Sequence, residues 1–359
     1  MDRLSNAEED EKPLKKRKLD RLNSIYRYPR DTPTPSTHDS DSGTEQSPNV
    51  VAAGDQPSEP HPNRHPSLWF QDGLLIVIAS DDLISALPSS TGSVYHEKTL
   101  QLPERGADLA EFFEVLYDGH SYYDHSSVIQ FESLRRLLLL AIKYKVSHII
   151  NSGISRLEAL YPSDYDNWTE WVHQEEPATG NVEIVCEDSV AVVEIARATG
   201  RTELLPVALY ASLMVDWKDF LKGKEYGPDT VKLSAEDQIL CLNAQDKLRE
   251  ISVRIGEILL GEALNGPGAH CQTRPECWKA YRELASTATR SSFTDIGCFC
   301  SSVGFIQGLE AKQTKKRCSK CVQYLTKKIE EREREEWQTL GDVFGIPDWP
   351  PELVASPES

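Results

Sequence analysis

The segment Leu68–Ser80, LWFQDGLLIVIAS, constrains this chain more than any other stretch, because two runs rich in β-formers flank an Asp72-Gly73 pair of the kind that closes a two-residue turn. It predicts a hairpin with Trp69 through Ile78 in adjacent antiparallel strands. Beyond about residue 107 the apolar period changes from two to three or four, so a small sheet must be followed by a mainly helical body. Lys98–Pro103, KTLQLP, alternates polar Thr99 and Gln101 with Leu100 and Leu102 and predicts one more short, half-buried strand.

Helices follow in order. LAEFFEVLYDG sets Leu109, Phe112, Phe113 and Leu116 on one face and ends at Gly119, where a left-handed cap is expected. Phe131–Val146 carries a stripe of Leu134, Leu137, Leu138, Ala141 and Ile142, with Arg135, Arg136 and Lys143 assigned to solvent. Ser147–Leu160 predicts a partner helix ending at Tyr161-Pro162. Further on, Glu187–Thr199 and Glu203–Leu213 read as a helical pair broken at Gly200, its core at Val190, Val193, Ile195, Leu205, Val207 and Leu213, with Trp217 and Phe220 closing the layer. Ser234 caps a long amphipathic segment reaching Leu260. Near the end, Trp337, Leu340, Val343, Phe344, Ile346 and Trp349 form an apolar plug suited to docking the last helix on the core, and the charge-alternating Lys327–Glu336 before it predicts an exposed helix.

Residues 1–64 lack aliphatic periodicity and are rich in Pro, Ser, Thr, Asp and Lys, so they are expected to be a disordered tail. Within it, Lys15, Lys16, Arg17 and Lys18 form a basic tetrad that either serves nuclear import or simply keeps the tail solvated. The formal charge of −18 argues against a general nucleic-acid binder, which needs a cationic face to meet phosphate. The longest apolar run among the helices, Leu137–Ile142, is too short to span a bilayer, and the N-terminus has no secretory stretch. A reducing, intracellular setting, nucleus or cytoplasm, is therefore expected, with the eight cysteines as thiols or metal ligands rather than disulfides.

Six of those cysteines lie between Gly266 and Cys321. Cys318-Ser-Lys-Cys321 has the two-residue gap that lets one turn present two thiolates to a tetrahedral metal. Cys271 with Cys277, or Cys298 with Cys300, can complete four ligands, and His270 is an alternative donor. The competing expectation is reduced thiols packed as small hydrophobes. A redox role for the CxxC pair lacks the preceding strand such a motif needs. The basic residues Lys312, Lys315, Lys316, Arg317 and Lys320 beside these thiols are read as a solvated face or as flanks of a metal loop. The nine histidines show no catalytic spacing, so no enzyme is expected.

Taken in order, HPSLWFQDGLLIVIAS, LQLPE, FFEVLYDG and LRRLLLLAIKYKVSHIINSGISRLEALYP resemble the BTB/POZ domain of the basidiomycete fungal type over His65–Pro162. The resemblance implies an α+β fold: a small BTB/POZ-like sheet capped by helices over 65–162, a helical region over 163–265, a Cys-containing helical region over 266–349, and disordered ends at 1–64 and 350–359. Such domains carry a helical hairpin between sheet strands. The stretch from Ser80 to Lys98 is too short for one, and Leu83–Leu87 would be the remnant of its last helix. Self-association and ligase-scaffold contacts made by that hairpin would be weakened accordingly. The same resemblance implies cysteine pairs before and after a helical insert, which selects Cys271, Cys277, Cys318 and Cys321 as the set for a structural zinc. The implied function is a non-enzymatic protein-protein interaction adaptor with protein partners. The alternative is a nuclear transcription regulator using a Cys-rich zinc module.

Overall fold

The computed structural model describes residues 64–69, 75–81, 84–87, 98–123, 128–173, 181–291, 298–299 and 317–351. The tail with Lys15–Lys18, the Asp72-Gly73 pair, Cys300 and the basic residues Lys312, Lys315 and Lys316 lie outside this set. The fold is α+β and mostly helical. Its described residues divide into two compact units, one ending at His120 and the other running from Ser121.

In the first unit β1 (Arg64–Trp69), β2 (Leu75–Ile78), β3 (Ile84–Leu87) and β4 (Lys98–Gln101) form one sheet in the order β1-β3-β2-β4. This corrects the expected hairpin. β2 turns back through Ser80 and Asp81 to pair antiparallel with β3, in the register Leu75 to Leu87 and Ile78 to Ile84. β1 instead lies parallel to β3 on the far side. The physical reason is the continuous apolar LIVI run, which suits a strand flanked on both sides. β2 has β3 on one side and the parallel β4, Leu75 against Lys98 and Ile78 against Gln101, on the other. A two-residue turn spans one strand spacing, and β1 and β2 are two spacings apart, about 9–10 Å. Ile84–Leu87, expected as a helical remnant, is thus an inner strand of the sheet.

One helix, α1 (Gly106–Asp118), covers this sheet, burying Leu109, Ala110 and Phe112. Leu68, Val77 and Ala79 meet Leu109 and Ala110 in its core. Asp81 fixes the packing: its carboxylate accepts the Gly106 N–H at 2.9 and 3.0 Å, satisfying an orphan donor at the positive end of the helix. At the other end Gly119 has φ −82°, so the expected left-handed cap is absent; a further turn, α2 (His120–Tyr123), follows at once.

The second unit begins with α3 (Phe131–Tyr144) and α4 (Ser147–Leu160), preceded by the two-residue strand β5 (Ile129–Gln130), which pairs with β6 (Val182–Glu183). α5 (Tyr165–His173) follows α4, and α6 (Ser189–Thr199) packs both on α3 and on α7 (Leu205–Ser212). The expected 65–162 module is therefore divided: α3 and α4 belong to the same compact unit as the later helices. Lys145, at φ 58°, and Gly200, at φ 70°, close α3 and α6 with left-handed caps whose N–H groups return to the last turn.

All six predicted core positions of the α6–α7 pair are buried. Arg135, assigned to solvent, is buried instead: it pairs with Glu194 of α6 at 3.0 Å and lies 4.8 Å over the Tyr226 ring. A lone Arg in an apolar stripe gives no sign in the sequence that a carboxylate on another helix awaits it. Phe220 on α8 (Trp217–Lys222) closes the layer as expected, whereas Trp217 is 42% exposed and touches only the edge of Phe220 among the ring contacts described. β7 (Lys224–Tyr226) and β8 (Asp229–Val231) form a small hairpin.

Ser234 accepts the Asp237 N–H at 3.0 Å and starts α9 (Ala235–Asn265). α9 packs on α10 (Arg274–Ser291) and on α11 (Ser319–Trp337). α11 exposes most of its charges on one side, but Glu333 and Glu336 are buried on the other with Leu325, Ile329 and Trp337, so the exposed-helix expectation holds for one face only. Glu336 is gripped by Arg254 through two bonds of 2.7 and 2.6 Å. With α12 (Leu340–Val343), the predicted plug residues are all buried.

Candidate metal centre

Four thiols converge where α10 and α11 begin. The Sγ atoms of Cys271, Cys277, Cys318 and Cys321 all lie within 4.8 Å of one another. Tetrahedral thiolates at about 2.3 Å from a zinc ion stand about 3.8 Å apart, so the group is within about 1 Å of the spacing a metal imposes. All four are free thiols.

Local structure explains the convergence. Cys318 is the residue at which the chain enters α11, with φ −67° and ψ 157°, and Cys321 follows in the first turn. That is the reach a two-residue gap provides. The longer gap from Cys271 to Cys277 spans the entry to α10: the Cys277 N–H bonds the Thr273 carbonyl at 2.9 Å, folding the first turn over the preceding loop. Both helix N-termini, with their partial positive charge, therefore face the sulfurs.

Polar groups support the sulfurs directly. The Cys318 N–H donates to Cys277 Sγ at 3.1 Å, and the Thr273 hydroxyl lies 3.2 Å from the same atom. Burial alone would raise the Cys318 thiol, but backbone hydrogen bonds from Gln272 and Cys321 and contacts with the Cys321 and Cys277 thiols outweigh it and bring it down to about 6. Burial pushes Cys321 well up, reinforced by its bonds to Cys271 and Cys318, and burial raises Cys271 too. A cation is held by thiolates, so a ligand set of this kind sheds protons when one enters.

Behind the thiols, Tyr281 donates to the Cys321 carbonyl at 3.2 Å, and the buried Arg317 guanidinium lies 5.1 Å over its ring. Arg317 places a positive charge near a group that carries net negative charge when it holds a divalent ion on four thiolates.

The remaining candidates fall elsewhere. His270 is outside the group; its ring stacks on Tyr324 at 4.0 Å, with Lys328 4.7 Å over the far partner. Cys298 is buried beside Phe299 and is not part of the group either. Cys186 and Cys241 behave as small hydrophobes, and burial lifts Cys241 to about 12. Sequence reasoning missed Thr273, Tyr281 and the sulfur-directed N–H groups. Thr273-Arg274-Pro275-Glu276 was the available signal, since a hydroxyl residue followed by Pro and Glu marks a helix start and sets Cys277 in its first turn.

No family model, curated protein or solved structure matches this chain. Among the described residues no helix is long and apolar enough to cross a membrane.

Proposed function

We propose that this chain is a non-enzymatic protein-protein interaction protein whose helical unit is stapled by one structural zinc ion on Cys271, Cys277, Cys318 and Cys321. The closed four-thiol set carries this reading. A catalytic zinc keeps a coordination position for water or substrate, whereas four cysteines fill the tetrahedron. The ion would join the start of α10 to the start of α11 across a long sequence interval, holding both against α9. Such a staple rigidifies a surface and supplies no reaction.

The adaptor role is taken from the likeness of His65–Pro162 to BTB/POZ domains, and the closed staple, which holds the helical unit rigid, supports it. The regulator alternative gains no observation in its favour, because on α10 the exposed Arg274, Lys279 and Arg282 are interleaved with Glu276 and Glu283. We assign the Lys15–Lys18 tetrad to nuclear import on its composition and context.

Cobalt(II) substitution tests the closed site. The expected spectrum is that of a tetrahedral tetrathiolate, unchanged by added azide. Bands that shift with azide reveal an open position and overturn the non-catalytic reading. A bait lacking residues 1–63 should still retain the partners of the full chain, and one that retains nothing above an unrelated acidic control would contradict the adaptor role.

A further inference from the structure

The four sulfurs of the zinc set are not equally placed. Cys277 and Cys321, in the first turns of α10 and α11, are fully buried, whereas Cys271 and Cys318, on the chain entering those helices, are half-buried. With an ion bound all four are thiolates, so exposure and hydrogen bonding decide which one reacts first. Cys277 Sγ takes the Cys318 N–H at 3.1 Å and has the Thr273 hydroxyl at 3.2 Å. Cys318 takes the backbone N–H groups of Gln272 and Cys321. Cys271 takes one, from Thr273. Each such bond draws charge from the sulfur, which leaves Cys271 as the half-exposed sulfur with the most charge to give.

Resting on the zinc reading above, we propose that this cluster is an oxidation site for hydrogen peroxide, at which Cys271 is oxidised first, Cys321 closes a disulfide with it, and the zinc ion leaves. The Cys271 thiolate attacks one peroxide oxygen, the O–O bond breaks, and sulfur becomes a sulfenic acid as hydroxide departs. The Cys321 thiolate then attacks that sulfur, the S–O bond breaks and a second hydroxide departs. Peroxide has taken two electrons, and two thiolates have become one disulfide. Cys271 touches both Cys277 and Cys321, but Cys277 is tied to the start of α11 by the Cys318 N–H, which leaves Cys321 to close the bond. All four sulfurs lie within 4.8 Å of one another, so a bond of about 2 Å needs a closing movement of no more than about 3 Å. Cys271 can supply it from the loop between α9 and α10, which leaves α9 at Gly266 with φ 79°. Two thiolates remain, too few to fill a tetrahedron. Peroxide is small enough to reach a half-buried sulfur that bulkier alkylating reagents do not.

The test uses the zinc-loaded full chain, its metal content measured beforehand by native mass spectrometry. Hydrogen peroxide is added while a chromogenic chelator reads free zinc, and non-reducing peptide mapping identifies the first disulfide. Zinc should be released in step with a disulfide joining Cys271 to Cys321, and dithiothreitol with added zinc should reverse both. Cys271→His leaves a ligand set of three cysteines and one histidine, which also holds zinc, and should release it about tenfold more slowly. Cys318→His, the same change at the other half-buried sulfur, should release zinc at close to the wild-type rate. A loaded chain that keeps its zinc under peroxide, a first disulfide without Cys271, or a Cys318→His variant protected as well as Cys271→His would overturn this inference and leave the staple standing. A chain that carries no zinc before peroxide is added overturns the staple and this inference together.

Discussion

Trp337 offers the sharpest test of how the helical unit is closed. Its ring is fully buried, stacked on Trp168 at 5.5 Å and edge-on to Phe299 at 5.2 Å and Trp349 at 5.8 Å, and its indole N–H donates to the Ser163 carbonyl at 2.6 Å. Truncating a buried Trp to Ala costs about 3–5 kcal/mol in lost transfer energy and cavity. Leaving the Ser163 carbonyl without its donor adds about 1 kcal/mol, the low end for an orphaned group because the bond is only part-buried. Trp337→Ala should therefore destabilise the unit by about 4–6 kcal/mol. Trp337→Phe keeps most of the apolar contact and loses the donor, and should cost about 1–3 kcal/mol. Guanidinium unfolding of the metal-loaded protein, followed by far-ultraviolet circular dichroism, measures both as shifts in the midpoint of the helical transition. A loss below about 1 kcal/mol for Trp337→Ala would refute the reasoning, since a cavity of that kind cannot be so cheap unless the ring is not packed in the core.

Other outcomes follow from named groups. Burial raises the phenols of Tyr122, Tyr161, Tyr165, Tyr226 and Tyr281 above their ordinary value of 10.0. Their contribution to stability is thus complete below pH 10 and falls as the pH rises beyond it, because the unfolded chain ionises first. A spectrophotometric titration should show these phenols ionising together with unfolding; normal ionisation with the helical signal intact would contradict their burial. Arg254→Met leaves the Glu336 carboxylate, whose side chain is only 7% exposed, with Arg332 at 3.8 Å as its remaining cation, and should cost about 2 kcal/mol after allowing for the exposed half of the pair and for that second partner, read as a lower denaturant midpoint. An unchanged midpoint would show that water replaces the guanidinium there. Replacing Lys16 and Arg17 by Ala should move a fluorescent fusion of the chain from nucleus to cytoplasm, and unchanged nuclear accumulation would remove the import assignment.

Periodicity made the helices legible and left strand pairing obscure. The stripes of α3 and α6, the stop at Gly200 and the Ser234 cap could be read directly, because each depends on neighbours within a turn or two. The sheet could not: Asp72-Gly73 suggested that β1 and β2 meet, yet the continuous apolar run of β2 is explained only by two flanking strands, one of which, Ile84–Leu87, is too short to declare itself. Arg135 shows the same limit from the polar side, since its partner Glu194 lies 59 residues away. For the thiols, spacing identified the ligand pairs, and the resemblance selected Cys271 with Cys277 over Cys298 with Cys300. The hydrogen bonds that tune them arise from two helix starts that the sequence places far apart.

Native mass spectrometry of the full chain, purified without chelator, tests the proposed staple most directly. One zinc ion per chain is expected, bound so that Cys271, Cys277, Cys318 and Cys321 resist alkylation until a chelator is added, and lost when Cys277 or Cys321 is changed to Ser. A metal-free chain whose four clustered thiols react freely while α10 and α11 remain folded would contradict it.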